Sequence, residues 1–541
     1  MYLERSSFFR AFWCFFVAIV FHSTAISAPP NLTYLHPAGA QRGTTIEITA
    51  GGTFERWPVQ VWASDKAISA KSSKDKGKLT VTITADAVPG TYWLRMHDEQ
   101  GASTLRPFIV GTLPDMLEKE PNDDIDKAQV IATSSVVNGR LEKAGDVDLF
   151  SLKLKKGETL VASLDAHGTF RSPMDAVLQV LAADGSVLEQ NNDWSGLDPR
   201  IACPILKDGT YHVRLFTFPA APDSSIRFAG GESYIYRLTL TAGPYVEYAV
   251  PLVFQRGTNP SFALQGWNIP SGLNASSKME DDIAVLHGPN LANTARLRVV
   301  NHPSRTSIPP ETLAPPFSIT SQLEKPATAQ SVRILGKKGQ NLNIRVDSRE
   351  LGLMVNPVIR ILDQTSKQLA RVEQGALNKD AELNFTPTAD GEYRIEVQDL
   401  HGGSGFRHAY HLRVAIPLPD FMLAVNNDRF ALAPGTPLDI PVTITHIAAH
   451  AKEIVIMADG LPEGVKFKVL PIAKDGKSVT LQLTTDKPGL SDSFRIIGRA
   501  KDSELARKAK APVAEFETNT SDLWLAVGGV VPPPVPKKKR R

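Results

Sequence analysis

The chain has 541 residues, of which 42% are hydrophobic, and a formal net charge of +3. At roughly 100 to 200 residues per domain, this length predicts several domains, each with a core of its own. The near balance of charge excludes electrostatic support for a nucleic-acid partner.

Residues 1–28 have the order of a secretory signal peptide. Arg5 and Arg10 precede the apolar run AFWCFFVAIVF, and small residues follow in HSTAISAPP. The run is about half of the ~20 residues that span a bilayer, which favours a removed signal over a retained transmembrane helix. Removal takes Cys14 and leaves Cys203 as the only cysteine. We therefore expect an exported protein without an intramolecular disulfide and without a transmembrane span.

Short runs with alternating apolar and polar residues recur along the rest of the chain. Examples are TTIEITA, KLTVTITA, TLVASLDA and LDIPVTITH. Gly, Pro, Asn and Asp separate them at about eight to twelve residues, a spacing typical of β-sandwiches. The sequence therefore predicts an all-β protein of serial β-sandwich domains, jelly-roll-like and immunoglobulin-like.

The chain also repeats itself. LEKAGDVDLFSLKLKKGETLVASLDA from Leu141 aligns without a gap with LEKPATAQSVRILGKKGQNLNIRVDS from Leu323, an offset of 182 residues. LKDGTYHVRL at Leu206 and TADGEYRIEV at Thr388 keep that offset. A fainter pair is AQRGTTIEITAGGTF and FQRGTNPSFALQGWNI. Together they predict that a smaller and a larger β-domain alternate twice.

Five segments resemble a known family in their order. EPNDD, GDVDLFSLKLKKGETL, MDAVLQVLAADGSVLEQNND, DGTYHVRL and YRLTLT resemble the bacterial pre-peptidase C-terminal (PPC) domain, from about Glu118 to Ala242. Such domains accompany secreted peptidases, and their relatives include the collagen-binding domains of clostridial collagenases. The segment PAGAQRGTTIEITAGG resembles IPT/TIG-type immunoglobulin-like domains.

These patterns divide the chain into seven regions. They are a signal peptide at 1–28, an IPT/TIG-like β-domain at 29–113, a PPC-like β-sandwich at 114–245, a second IPT/TIG-like β-domain at 246–315, a degenerate second PPC-like β-sandwich at 316–416, a C-terminal immunoglobulin-like β-domain at 417–528 and a Pro-rich basic tail at 529–541. The tail reads GVVPPPVPKKKRR, which favours a solvated end over a tether to an acidic wall or lipid surface.

The stretch LEKEPNDDIDKAQVI opens the first PPC-like region and is rich in side-chain oxygens. Residues two apart in an extended segment face the same side, so its Glu, Glu and Asn present their oxygens together. The aspartates of GDVD join them if this linker packs beside the strand that GDVD begins. The candidate metal ligands are Glu118, Glu120, Asn122, Asp123, Asp146 and Asp148.

Calcium is the cation that this donor set predicts, because calcium takes six to eight oxygens whereas zinc prefers nitrogen and sulfur. The resemblance implies the same, since collagen-binding relatives hold calcium with Glu, Glu, Asn and Asp of this linker. In the second copy, Thr328 replaces Asp146 and Gln330 replaces Asp148. Such a loss fits a dispensable ion site, and it equally fits the drift of a solvated, domain-capping linker.

A second candidate is the loop EQNNDWSGLDPR. Asn192, Asp193 and Trp194 could form a ligand loop that grips a sugar ring or a peptide. The alternative is a turn whose polar side chains bond their own backbone while the indole covers a core edge. Catalytic signatures such as His-Glu-x-x-His and Gly-x-Ser-x-Gly do not occur in the sequence.

The pattern as a whole favours an exported, non-catalytic binding or scaffold protein, secreted or held in the periplasm or cell envelope. Its expected partner is an extracellular polymer, such as a collagen-like protein, peptidoglycan or a polysaccharide, or an envelope protein. A secreted peptidase or other hydrolase, or its accessory region, is the alternative. A purely structural envelope component is a third possibility that sequence does not separate from the first.

Overall fold

A computed structural model describes residues 28–221, 227–280, 282–289, 291–373, 379–450, 452–471, 476–489 and 491–528. The predicted signal peptide, apart from Ala28, and the predicted basic tail lie outside these residues. The regular structure is almost entirely β, arranged as successive packed sheets. The prediction of an all-β chain of serial sandwiches is confirmed. We call the successive sets of strands units 1 to 5.

Unit 1 pairs two sheets. Its strands are β1 (Asn31–His36), β2 (Gly39–Gln41), β3 (Thr45–Thr53), β4 (Gln60–Ala63), β5 (Ile68–Ser72), β6 (Lys78–Ile83), β7 (Gly90–Asp98), β8 (Gly101–Ala102) and β9 (Arg106–Gly111). The sheet orders are β1-β3-β6-β5 and β2-β9-β7-β4, with β8 paired to β7. In β6 the buried Leu79, Val81 and Ile83 alternate with more exposed positions, as the strand period of two requires.

Unit 2 contains the candidate ligands. Its elements are β10 (Asp115–Leu117), the 3-10 helix η1 (Ile125–Lys127), β11 (Gln129–Val130), β12 (Ser135–Arg140), β13 (Asp148–Leu154), β14 (Thr159–Asp165), α1 (His167–Phe170), β15 (Met174–Leu181), β16 (Val187–Asn191), β17 (Arg200–Pro204), β18 (Gly209–Pro219) and β19 (Ile235–Thr241). The two sheets have the orders β10-β12-β19-β14-β17 and β11-β13-β18-β15-β16.

Unit 3 is the smallest. Its strands are β20 (Tyr245–Val250), β21 (Val253–Gln255), β22 (Ala263–Trp267), β23 (Ser276–Glu280), β24 (Ile283–His287) and β25 (Ala295–Val300). They form the sheets β20-β22 and β21-β25-β24-β23 around a small apolar cluster that includes Val246, Phe254 and Leu286.

Unit 4 repeats the strand order of unit 2. Its elements are β26 (Ser304–Arg305), β27 (Phe317–Gln322), β28 (Gln330–Gly336), β29 (Leu342–Asp347), the 3-10 helix η2 (Arg349–Leu351), β30 (Pro357–Leu362), β31 (Gln368–Glu373), β32 (Ala381–Phe385), β33 (Gly391–Asp399) and β34 (Ala409–Ala415). The sheets run β26-β27-β34-β29-β32 and β28-β33-β30-β31. β26 falls inside the predicted region 246–315 but pairs with β27 of this unit.

Unit 5 completes the described chain. Its elements are β35 (Asp420–Ala424), β36 (Arg429–Leu432), β37 (Leu438–Ile447), β38 (Ile454–Asp459), β39 (Lys466–Val469), β40 (Ser478–Thr484), β41 (Asp492–Ala500), β42 (Ala506–Lys508), β43 (Ala511–Val513), the 3-10 helix η3 (Ala514–Phe516), β44 (Thr518–Thr520) and β45 (Leu523–Val527). The larger sheets are β35-β37-β40-β39 and β36-β45-β41-β38.

Each unit buries its own apolar cluster, so the chain has a series of separate cores. Within the described part of the chain, no helix has the length and apolar character needed to cross a membrane.

Candidate metal centre

The linker that leads into unit 2 packs along the sandwich. The amide of Glu118 donates to the carbonyl oxygen of Asn138 at 3.0 Å, which extends the pairing of β10 with β12. Four residues later, the carbonyl oxygen of Asn122 accepts a hydrogen bond from the amide of Leu149 at 3.1 Å. The linker therefore lies beside the first residues of β13, which was the condition for its side chains to meet the aspartates of GDVD.

The five acidic candidate ligands come together in two overlapping groups. One group contains Glu118, Glu120 and Asp148, and the other contains Glu120, Asp123 and Asp146. Within each group, one oxygen per residue lies within 4.8 Å of the others. The side-chain amide of Asn122 reaches the first group, because its Nδ2 donates to Glu118 Oε1 at 3.4 Å. Asp124 is exposed and pairs with Lys127 instead.

Three buried oxygens in this cluster have no hydrogen-bond partner. They are the Oδ1 atoms of Asn122, Asp146 and Asp148, and each of these residues is 0% exposed. The partner oxygen of Asp146 accepts the amide of Glu142. A buried polar atom without a partner costs roughly 1 to 3 kcal/mol, and more if charged. Three such atoms lie in this one cluster of carboxyl groups.

Tyr236 fixes the orientation of Asp148. Its buried hydroxyl donates to Asp148 Oδ2 at 2.5 Å, which leaves Oδ1 turned toward the linker carboxylates. Gly139, opposite Tyr236 in the β12–β19 pairing, makes room for the ring: a Cβ there would lie 2.2 Å from it. The hydroxyl of Tyr236 was not predicted as part of the site.

Burial and mutual repulsion raise the pKa values of several carboxyl groups in the cluster. Burial raises the pKa of Glu118 to about 7, and the neighbouring Glu120 adds to the rise. Burial and then Glu118 hold the pKa of Asp148 well above its usual range, and burial followed by nearby Asp123 raises that of Asp146. Among the described residues, no lysine or arginine forms an ion pair with these five carboxyl groups. Lys143 lowers the pKa of Asp146 without forming an ion pair, so the protein offsets only part of the repulsion between these like charges.

At the position in unit 4 that corresponds to Asp148, the side chain is uncharged and fully hydrogen-bonded. Gln330, which aligns with Asp148, begins β28 as Asp148 begins β13. Its Oε1 accepts the hydroxyls of Tyr410 at 2.6 Å and Ser321 at 2.8 Å, and its Nε2 donates to the carbonyl of Gln322 at 2.8 Å. Every polar atom of the glutamine side chain therefore has a partner. The segment between β26 and β27 in unit 4, residues 306–316, is also shorter than the segment between β10 and β12 in unit 2, residues 118–134.

A third acidic group lies in unit 4 and has its own countercharges. Asp347, Glu350 and Asp380 have oxygens within 4.8 Å of one another. Arg345 pairs with Asp347 at 2.5 Å and with Glu350 at 2.7 Å, and Arg298 of unit 3 reaches Asp347 at 3.1 Å. These guanidinium groups supply positive charge to the acidic group.

A capping aspartate in each of units 2 and 4 was not singled out from the sequence. Asp198 accepts the amides of Ala166, His167 and Gly168, and Asp380 accepts those of 348–350. The repeat offset of 182 residues relates Asp198 to Asp380, so the internal alignment could have identified these two aspartates as equivalent.

The candidate ligand loop lies where units 2, 3 and 4 meet. The guanidinium carbon of Arg407 sits 3.9 Å from the ring centre of Trp194, and Arg200 covers the ring at 5.6 Å. Both arginines pair with the buried Glu247. Asn192 and Asp193 are exposed, and the amide of the first donates to the second at 2.8 Å. The indole therefore packs into the joint between units, and of the three candidate residues Asn192 and Asp193 are the exposed ones.

Comparison with known proteins gives partial matches. No family model matches the chain. The chain is 27% identical over 175 residues to a probable subtilase-type serine protease of Deinococcus radiodurans, a stretch that covers 31% of this chain and 22% of that protein. The chain therefore spans about a fifth of the length of this curated relative.

Three solved structures resemble parts of the fold. The pre-peptidase C-terminal domain of the collagenase from Bacillus anthracis is 12% identical, with a TM-score of 0.16 and coverage of 23% of this chain and 100% of that domain. The M60 catalytic domain with the CBM51-1 and CBM51-2 domains of Clostridium perfringens ZmpB is 10% identical, with a TM-score of 0.16 and coverages of 71% and 46%. Domains 1–6 of the surface layer protein SbsC are 10% identical, with a TM-score of 0.14 and coverages of 89% and 54%. These likenesses carry no functional assignment.

Proposed function

We propose that the chain is an exported, non-catalytic binding or scaffold protein in which calcium stabilises unit 2. The observation that carries the calcium proposal is the set of three buried, unpartnered oxygens on Asn122, Asp146 and Asp148 inside a cluster of carboxyl groups. In this proposal units 2 and 4 are PPC-like copies, and unit 4 is the copy that has lost the ion.

The donor chemistry fits calcium. Glu118, Glu120, Asn122, Asp123 and Asp148, with Asp146, would hold it through oxygens alone. Calcium supplies the positive charge that the cluster lacks, and it would tie the linker to the start of β13. The chain's own part is to position the oxygens, which the Asn122–Leu149 backbone bond and the Tyr236 hydroxyl do.

The difference between units 2 and 4 supports a cation over a simple capping linker. A linker that only covers the sandwich edge has no need of buried, unpartnered oxygens, since a neutral side chain with full hydrogen bonding serves better. Gln330 is such a side chain in unit 4. Unit 2 instead has buried carboxyl groups, Asp148 and Asp146, whose charged forms are costly and would be stabilised by an ion.

The binding role concerns polymers or proteins outside the cytoplasm. Sandwich faces and loops of the five units would contact a collagen-like protein, peptidoglycan, a polysaccharide or an envelope protein. The predicted signal peptide supports a secreted, periplasmic or envelope location. Pull-down of the protein by each insoluble polymer, with and without calcium, tests this part.

A second candidate function is that of a secreted peptidase whose catalytic groups the sequence motifs did not reveal. The partial match to a subtilase-type serine protease favours it. A casein hydrolysis assay separates the two: the binding proposal expects no hydrolysis above the buffer blank, and hydrolysis that survives further purification contradicts it.

Thermal unfolding of the whole protein tests the calcium proposal. We expect the transition of unit 2 to move up in millimolar calcium and to return in excess chelator, because a ligand that binds only the folded state stabilises it. The double variant Glu120→Ala, Asp146→Ala should not respond to calcium. A parent protein that unfolds at the same temperature in calcium and chelator would refute the proposal.

A further inference from the structure

Unit 5 packs against unit 1, although the two are at opposite ends of the described chain. The outer face of the β4–β7 sheet in unit 1 carries Trp62, Trp93, Arg95 and His97, while the alternate residues of β7 face the core. Such a face on an isolated sandwich would be solvent-exposed and polar. Here two tryptophans lie on it, and it is covered by β45 and η3 of unit 5.

This contact explains the composition of strand β45. In the sequence LWLAV, Leu523, Leu525 and Val527 join the core of unit 5. The alternate residues, Trp524 and Ala526, point the other way and pack with Ala102 and Trp62 of unit 1. All five positions are buried, so the strand is apolar on both faces because it lies between two units.

A buried ion pair lies at the centre of the contact. Arg95 is 1% exposed, and its guanidinium bonds the carboxylate of Asp428 in unit 5. The same guanidinium lies 6.0 Å from the ring centre of Trp524, which also contacts the imidazole of His97 at 4.4 Å. An arginine buried on this face without its partner would be an uncompensated charge.

The contact extends on both sides of this pair. Trp62 Nε1 donates to Ser493 Oγ at 3.1 Å, and Arg429 donates to the carbonyl of Ala102 at 2.9 Å. On the η3 side, the ring of Phe516 meets Trp93 edge to face at 5.2 Å between centres. Arg106 of unit 1 pairs with Glu515 at 2.6 Å, so a second charge pair crosses the joint.

We infer that unit 5 is a docked partner of unit 1, held by a complementary interface that does not depend on the covalent connection between units 4 and 5. That connection is 416–419, between β34 and β35. It contains two prolines, and Leu418 is 74% exposed. The chain is then a closed body rather than an open string of sandwiches. This inference is independent of the calcium proposal.

Cutting the connection tests the inference. Residues 416–419 of the full chain are replaced by a protease recognition sequence, and the protein is cut and passed over a size-exclusion column with mass detection. We expect the unit 5 fragment to elute with the rest at the mass of one chain. Separation of the fragments, or a complex with the mass of two chains, would overturn the inference.

Variants of the ion pair sharpen the test. Asp428→Ala should weaken the association of the cut fragments at least about a hundredfold, because it leaves Arg95 buried and unpaired. The matched control is Glu453→Ala, which removes an exposed pair with Lys501 within unit 5 and should change nothing. If Asp428→Ala fails to fold, the apolar pair Arg95→Leu, Asp428→Leu replaces it and should keep the fragments together. Fragments that stay equally tight in Asp428→Ala, or that separate in a folded apolar pair, would contradict the assigned interface.

Discussion

In the absence of calcium, unit 2 should lose stability as the pH rises from about 4.5 to about 7. Burial raises the pKa of Glu118 from its ordinary 4.5 to about 7, with Glu120 adding to the rise. Between these values the folded protein holds a proton that the unfolded chain has released. Stability then falls with rising pH, since the folded state binds more protons.

The size of the effect follows from the pKa of Glu118. A rise from 4.5 to about 7 corresponds to at most about 3 kcal/mol. Because Glu118 is only partly buried, solvent screening reduces this to roughly 1 to 2 kcal/mol. For a unit that spans 114–245, this is a fall of about 4 to 7 °C in the unfolding midpoint.

Scanning calorimetry of the full chain at several pH values, in chelator and in calcium, measures the effect. Calcium should reverse the trend, because it binds the deprotonated carboxylates and gains affinity as they ionise. Buried histidines contribute with the opposite sign: burial lowers the pKa of His97 to about 4, so its stabilisation grows as the pH rises toward 6.5. The difference between the parent and Glu118→Gln isolates the carboxyl. If the two proteins have the same pH dependence in chelator, the reasoning is refuted.

Three other substitutions have defined outcomes. In Asp148→Gln, the glutamine should still accept the Tyr236 hydroxyl, as Gln330 accepts that of Tyr410 in unit 4. The stability of this variant in chelator should therefore stay within about 1 kcal/mol of the parent. Its unfolding midpoint should no longer rise in calcium, and a retained rise counts against the site. Asp428→Ala should lower the free energy of unfolding by about 3 to 5 kcal/mol in urea, because Arg95 keeps a buried charge, and a loss below about 1 kcal/mol would contradict this. Asp198→Ala should cost about 2 kcal/mol or more, since three amides lose their acceptor, and an unchanged urea midpoint would contradict the capping role.

The sequence predicted the class of fold because alternation with a period of two is a local property. Strands such as β6 and β28 bury every second residue, and that pattern is visible in KLTVTI and QSVRIL. The spacing of two residues also predicted that Glu118 and Glu120 lie together, whereas Asp146 and Asp148 fall in different groups that share Glu120. That they bind calcium stays a prediction.

What the sequence did not predict depends on contacts between distant parts of the chain. Tyr236 is 88 residues from Asp148, and nothing local to YRLTLT indicates that its hydroxyl ends at a carboxylate. The position of Trp194 depends on Arg407 from another unit. The apolar face around Arg95 was equally hidden, because a strand buried between two units resembles any other core strand in sequence.

The most direct measurement of the central claim is a calorimetric titration of calcium into the chelator-treated, full-length protein. We predict saturable binding by the parent, none by Glu120→Ala, Asp146→Ala, and parent-like binding by Asp124→Ala, Asp126→Ala, which removes two exposed acids of the same linker outside the cluster. Equal binding by the two double variants, or no binding by the parent, would contradict a calcium site at the start of β13.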